Sequence, residues 1–182
     1  MADLTGGDVI FRNLETPRLL LRNISDEDTE LVYSLFSDNE VNRYLFDAEP
    51  LKDLHGAEEI ISYYTESEPR SHHRWVLIIK ETGTAIGTCG FHRWDREAAG
   101  CDIGYDLLPG FRGNGYMSEA LQEIISFADK VMRVRTIYAC IYSKNTKSIR
   151  LAESSGFKFC GQMRDEVFRG EVYPHRVYEL HL

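Results

Sequence analysis

Glycines at positions 110, 113 and 115 give the chain its most chemically suggestive stretch, Leu107-Leu108-Pro109-Gly110-Phe111-Arg112-Gly113-Asn114-Gly115-Tyr116-Met117-Ser118-Glu119-Ala120-Leu121. An apolar run stops at a proline-glycine turn, glycines follow with G-x-x-G-x-G spacing, and a helical pattern begins without a gap. Strand, glycine turn and helix N-terminus in that order form an anion site. Glycine lets backbone approach a ligand closely, and the unpaired N–H groups and dipole of the helix start favour phosphate. Two phosphate chemistries are excluded. A P-loop requires G-x-x-x-x-G-K-[ST], and no Gly-Lys-Ser/Thr occurs. A dinucleotide site places G-x-G-x-x-G after a first strand, with an acid ending the next. Here the spacing is reversed and the next strand ends at Ser143-Lys144-Asn145.

A second polar cluster, Asn145-Thr146-Lys147-Ser148, opens another short helical pattern that stops near Gly156. Asn145 suits an N-cap. The cysteines at 89, 101, 140 and 160 are isolated, and no histidine pair or Cys/His spacing suggests a metal site.

The elements that must position these groups follow from periodicity. Arg18–Arg22 reads as a strand after Pro17. Ser25 to Asp28 reads as a capping box ahead of a helix carrying Leu31, Val32, Leu35 and Phe36. A second helix begins near Leu54 and carries Ile60, Ile61 and Tyr64. Trp75–Ile79 is a buried strand, and Ala85–Phe91 returns as its hairpin partner through Glu81 to Thr84. A strand from about Cys101 to Leu108 enters the glycine turn, and Met117, Leu121, Ile124, Ile125, Ala128 and Met132 line one face of the next helix. Thr136–Tyr142 is a strand and Thr146–Ser154 a helix. Phe157–Phe159, Val167-Phe168 and Val172–Leu180 read as closing strands, joined at Arg169-Gly170. Hairpins first, then strand-helix-strand-helix, predict one α/β (α+β) domain over 17–182, with residues 1–16 as a loose lead-in. Its mixed sheet carries helices on its faces.

The 182 residues carry a formal net charge of −8, with 43% hydrophobic and 27% charged residues. That balance excludes a basic nucleic-acid footprint and fits a cationic acceptor or plain solubility. No apolar run reaches the roughly 20 residues of a membrane span. The N-terminus lacks a secretory signal pattern, so a cytoplasmic protein with reduced thiols is expected.

Taken together, Thr16-Pro17-Arg18-Leu19-Leu20-Leu21-Arg22, Ile86-Gly87, Asp102-Ile103-Gly104-Tyr105, Arg112 to Ala120, Asn145 with Ser148, and Gly156-Phe157 resemble the GNAT superfamily of acetyl-coenzyme-A-dependent N-acetyltransferases. Within it the chain looks most like the ribosomal-protein N-terminal (Rim-type) group and its small-molecule relatives. The resemblance spans nearly the whole chain. It implies a central, mixed but mostly antiparallel twisted sheet of about seven strands, with acetyl-CoA as co-substrate and no metal. The acceptor it implies is an amine: a protein N-terminus, or a small amine such as a polyamine, amino acid or aminoglycoside. A monomer or a homodimer is compatible with it.

On that resemblance the N–H groups of Arg112, Gly113, Asn114, Gly115, Tyr116 and Met117 cradle the pyrophosphate. The strand edge at Leu107 and Leu108 pairs with the pantetheine amides, and Asn145 reaches the same arm. Gly110 stands where the family often has glutamine or arginine. Many members place a tyrosine acid seven residues after the asparagine; that position is Ala152. Ser148 is therefore the candidate to hydrogen-bond the departing sulfur. Asp102 is the candidate base, as a half-buried carboxylate facing a cleft, with His92 second. The acidic, aromatic segment Tyr44–Pro50 and the His72–Trp75 segment are expected to border the acceptor. A cysteine acyl-enzyme through Cys101 or Cys140 lacks an activating base. A module that binds acetyl-CoA without catalysis is the alternative from another class.

Overall fold

The computed structural model describes residues 10–182. In chain order the strands are β1 (Leu14–Glu15), β2 (Leu19–Asn23), β3 (His73–Ile79), β4 (Ala85–Asp95), β5 (Gly100–Leu107), β6 (Thr136–Tyr142), β7 (Lys158–Phe168) and β8 (Glu171–His181). The helices are α1 (Thr29–Ser37), α2 (Asn39–Asn42), α3 (Leu54–Tyr64), α4 (Tyr116–Phe127) and α5 (Thr146–Ser154). The eight strands form one sheet in the order β1-β2-β3-β4-β5-β6-β8-β7. Every neighbour is antiparallel except β5 and β6.

The central strands read as continuous apolar runs because helices cover both faces. On one face, Trp75 and Leu77 of β3 join Phe91 and the buried stripe Met117, Ala120, Leu121, Ile124 and Phe127 of α4. Burying each large side chain of that stripe contributes about 1.5–3 kcal/mol. On the other face Val76 packs with Val32, Ala57 and Ile61 beneath α1 and α3. The predicted capping box is present: Asp28 accepts from the Ser25 amide at 2.8 Å and from Arg22.

Several expectations change. The first nine residues of the expected lead-in lie outside the described residues. From Ile10 onward the segment is packed rather than loose, with Phe11 in the main core and β1 paired to β2. The hairpin strand expected to end at Phe91 runs on to Asp95. Phe157–Phe159 and Val167-Phe168 are parts of one strand, β7, whose pairing with β8 shifts register between Phe159 and Met163. The Cys160-Gly161-Gln162 interruption at the shift hid its continuity. A π-helical turn, Ala128–Met132, extends α4.

The functionally decisive departure from regularity lies between β5 and β6. Their parallel pairing covers only Gly100–Thr136, Cys101–Ile137 and Asp102–Tyr138. Beyond that the strands part, and the sheet opens at its centre.

Candidate functional site

A cavity of about 1500 Å³ passes through this opening, lined by both parted strands, the glycine turn, α5 and the loop between α2 and α3. The glycine turn forms one end. Gly113 and Gly115 have φ of +81° and +77°, the left-handed region that glycine tolerates without strain. A Cβ at Gly113 would meet no atom within 4 Å, so the turn faces open space. Gly115 occupies the N-cap of α4, and no side chain caps that helix. Its first N–H groups, which have no intrahelical acceptor, therefore stay available for an anion. The turn is anchored from behind by Arg18. This guanidinium donates to the Asn114 carbonyl at 3.0 Å, pairs with Glu119 at 2.6 Å and lies 4.6 Å over the Tyr116 ring. Glu119 also accepts from the Thr16 hydroxyl and the Arg18 amide. Burial opposes its ionisation, but these hydrogen bonds prevail and hold the carboxyl below the usual range.

The open strand edge is placed further inward than expected. Leu108 lies past the end of β5 and donates its N–H to Ile86 at 3.0 Å. The Leu107 carbonyl is taken by Arg112 Nε at 3.0 Å. Backbone groups alternate sides along an antiparallel ladder, so those of Tyr105, past the last β5–β6 pair at Asp102–Tyr138, point to the same side as Leu107. On the far side of the opening, Asn145 caps α5, its Oδ1 accepting the Ser148 amide at 3.2 Å. The cap expectation for Asn145 is met, and the residue also lines the cavity.

Ser148 has a partner that the sequence reading missed. The Tyr105 hydroxyl lies 2.8 Å from Ser148 Oγ and 3.3 Å from the Ser148 carbonyl, bridging β5 to α5 across the gap. Burial pushes the Tyr105 phenol up to about 12, so it stays protonated. Its signal was present, since Gly104-Tyr105 was among the family markers. What could not be read was that it reaches Ser148.

The two proposed bases are placed differently from expectation. Asp102 pairs with Arg93 and does not line the cavity. His92 does line the cavity, but burial, with Arg74 and Arg93 nearby, lowers it to about 3 rather than near neutrality. It is a neutral hydrogen-bonding group: its Nδ1 meets the Tyr64 hydroxyl at 3.2 Å. Gly104 makes room for it, because a Cβ there would fall 2.9 Å from His92 Nε2.

Buried beside His92 is Arg74, which pairs with Asp106 at 2.9 Å, bonds Thr88 at 2.9 Å, and lies 4.9 Å from the Tyr64 ring centroid. Burial works against its charge, but Tyr64 and Asp106 outweigh that and keep it protonated. An arginine at the head of an apolar strand was the available signal for a buried ion pair.

Of the two expected acceptor segments, the first borders the cavity along its length and the second only through Arg74. Tyr44 to Glu49 line it, with Phe46 stacked on Tyr173 at 3.7 Å between ring centroids and edge-on to Tyr142 at 4.8 Å, and Glu49 paired with Arg169. His72 and His73 do not border it. His72 bonds the Tyr63 carbonyl at 2.6 Å, while His73 stacks on Phe11 and is lowered by burial to about 2. Cys101 is buried and pushed up to about 12, and burial raises Cys140. No group of three or more potential metal ligands occurs among the described residues. No helix among them is long and apolar enough to cross a membrane.

A mixed sheet parted beside its parallel pair, with a glycine-rich helix start at the opening, gives the chain a deep cleft with an anion-ready end. The chain belongs to the GNAT acetyltransferase family: residues 18–158 match the family described as "Acetyltransferase (GNAT) domain". It is 31% identical over 173 residues to the uncharacterized N-acetyltransferase YoaA of Bacillus subtilis, covering 94% of this chain and 97% of that one. It is 36% identical over 156 residues to the uncharacterized N-acetyltransferase p20 of Bacillus licheniformis, covering 85% and 87%. The fold is shared with spermidine N-acetyltransferase from Vibrio cholerae, solved in complex with CoA and spermine. That likeness has a TM-score of 0.79 at 17% identity, over 90% of this chain and 95% of that chain.

Proposed function

We propose that this chain transfers acetyl from acetyl-CoA directly to a primary amine, the N-terminal amine of a protein, with ribosomal proteins the first group to test. The observation that carries the direct route is the opened β5–β6 gap, with the anion-ready glycine turn at one end and the Tyr105–Ser148 hydroxyl pair across it. Acetyl-CoA supplies a thioester whose carbonyl carbon accepts the amine and whose sulfur departs.

The chain's own groups fit that co-substrate. Uncapped N–H groups at α4, facing open space at Gly113, suit a pyrophosphate. The backbone of Tyr105, beyond the paired part of β5, suits the amides of the pantetheine arm, as an added strand would. Ser148 Oγ stands in the gap to give a proton to the departing sulfur. Buried thiols with raised pKa values supply no thiolate nucleophile, which favours direct transfer over a cysteine acyl-enzyme. The charged guanidinium of Arg74 beside the cavity disfavours an ammonium there and so favours the neutral, nucleophilic amine.

Four of the six carboxylates that line the cavity are already paired with arginines, which favours a singly charged acceptor over a polyamine. Asp106 is taken by Arg74, Glu49 by Arg169, Glu40 by Arg112 and Glu166 by Arg164, which leaves Asp47 and Glu59 as the lining carboxylates without an arginine or lysine partner among the described residues. A polyamine needs several carboxylates it can pair with. A peptide N-terminus brings one amine and a backbone for the aromatic wall formed by Tyr44, Phe46 and Tyr142.

Thiol release from acetyl-CoA, measured against peptides with free N-termini, single amino acids, an aminoglycoside and spermidine, tests the reading. The highest kcat/KM is expected on a peptide. A preference for spermidine would overturn the acceptor assignment. CoA binding without turnover on any amine would overturn the catalytic one.

A further inference from the structure

We infer that Tyr105 is a positioning residue of the transfer step: its hydroxyl donates to Ser148 Oγ and thereby turns the Ser148 proton toward the departing sulfur. The inference rests on the reading of Ser148 as that proton donor.

Three observations carry it. The Tyr105 oxygen is closer to Ser148 Oγ, at 2.8 Å, than to the Ser148 carbonyl, at 3.3 Å. A phenol is a stronger acid than an aliphatic alcohol, so Tyr105 is the better donor of the pair. With that bond made, Ser148 Oγ accepts from Tyr105 and its single hydrogen must point elsewhere. Both residues line the opening between β5 and α5. A helical serine left alone would instead tend to donate back to a carbonyl of the preceding turn, wasting its proton. Tyr105 is held by the fold rather than by a ligand, since it packs on the main core from β5.

The proton balance closes without any further reactant. As the carbon–sulfur bond breaks, its electron pair leaves with sulfur, which takes the Ser148 proton. The nitrogen gains a carbon–nitrogen bond and loses one proton, and that proton returns to Ser148 through solvent. Tyr105 keeps its own proton throughout, as its raised pKa of about 12 requires. Its hydrogen bond stabilises the charge that develops on Ser148 Oγ during the transfer.

Two measurements on the full chain test this, with Tyr105→Phe, Ser148→Ala and the double variant. The phenylalanine keeps the ring in the core, and thermal melting checks that each variant folds. The first measurement is ultraviolet titration of the thiol of bound CoA, which needs no acceptor. A hydroxyl aimed at sulfur favours the thiolate, so each single variant is expected to raise the bound thiol's pKa, and the double variant no more than Ser148→Ala. The second is thiol release with acetyl-CoA and the peptides above. Tyr105→Phe is expected to lower kcat about tenfold, the loss of one hydrogen bond in the transition state, with KM for acetyl-CoA unchanged. In the Ser148→Ala background it should have no further effect.

Additive losses would overturn the inference, because they would show two hydroxyls acting separately. A Tyr105→Phe protein that titrates and turns over like the wild type, while Ser148→Ala does not, would overturn it and leave Ser148 in place. A Ser148→Ala protein that titrates like the wild type would remove both residues. Failure of the wild-type chain to bind CoA would instead sink the site as a whole.

Discussion

Arg74 on β3 and Asp106 on β5 form a 2.9 Å ion pair that spans the intervening strand β4, whose Thr88 bonds the same guanidinium. Both side chains are at most 10% exposed. Breaking a buried pair from one side leaves an uncompensated charge, so Asp106→Ala should cost about 3 kcal/mol or more in unfolding free energy. Replacing both partners, Arg74→Met with Asp106→Leu, should recover most of that loss. Urea unfolding of the three variants measures it, and a single variant within 1 kcal/mol (roughly the value of a surface pair) would show the pair to be solvated.

The glycine turn gives a prediction that depends on charge. Gly113→Asp places a carboxylate and a strained φ of +81° where a pyrophosphate is proposed. CoA affinity should fall at least about tenfold, since unit charges a few ångströms apart repel by several kcal/mol near a surface. Gly113→Ala carries the backbone strain without the charge and should lose less. Calorimetry with CoA compares them, and equal affinities for wild type and aspartate would remove the anion site.

Ser148 is exposed to a direct kinetic test. Ser148→Ala keeps the backbone N–H that Asn145 caps, so α5 should persist. A positioned general acid contributes roughly a hundredfold or more. The variant should therefore lose about that factor in kcat with acetyl-CoA binding retained. Full activity would exclude it from the mechanism.

Glu119 ties the Thr16–Arg18 segment to the first turn of α4 and, through Arg18, to the Asn114 carbonyl. Glu119→Ala leaves those donors unsatisfied, and charged hydrogen bonds of this kind are worth about 2 kcal/mol. A lower melting temperature and weaker CoA binding are expected together. Because the Glu119 carboxyl is held below its unfolded pKa, its contribution is present above that unfolded value and fades as pH falls through the folded one. Unchanged CoA affinity in a destabilised variant would separate the anchor from the cradle.

His73 and His92 set a milder acid limit. Burial lowers them to about 2 and about 3, from 6.5 in the unfolded chain. The unfolded chain therefore takes up protons that the folded chain refuses. Stability is full above pH 6.5 and falls as pH drops from there toward the folded values, by up to about 1.4 kcal/mol per pH unit for each histidine. Urea midpoints at pH 7.5 and 5.5 should differ in that direction, and His92→Asn should reduce the difference. Flat midpoints would mean that the histidines protonate in place.

Much of the scaffold is fixed by local pattern. β6 and α5 span the residues that periodicity predicted, because each is a short element bounded by strong turn residues. The order of elements, the glycine turn and the Asn145 cap were legible for the same reason: each depends on neighbours a few positions away. β7 was fragmented in the sequence because its exposed face alternates weakly and its register shifts beside Gly161.

What only the tertiary structure decided is which distant groups meet. The sequence supplied Ser148 and Tyr105 in separate motifs, and the parting of β5 from β6 brought their hydroxyls to 2.8 Å. It supplied Asp102 and Asp106 four residues apart, with nothing in their spacing to choose between them. The fold gave Asp102 to Arg93 outside the cavity and placed Asp106 with Arg74 on its wall. It took His73 into the core, where desolvation removes its charge, and left His92 at the cavity as a neutral partner of Tyr64. Spacing along a chain determines which side chains share a local turn or face. Burial and the company of charges, which set what those side chains can do, depend on contacts between residues far apart in sequence.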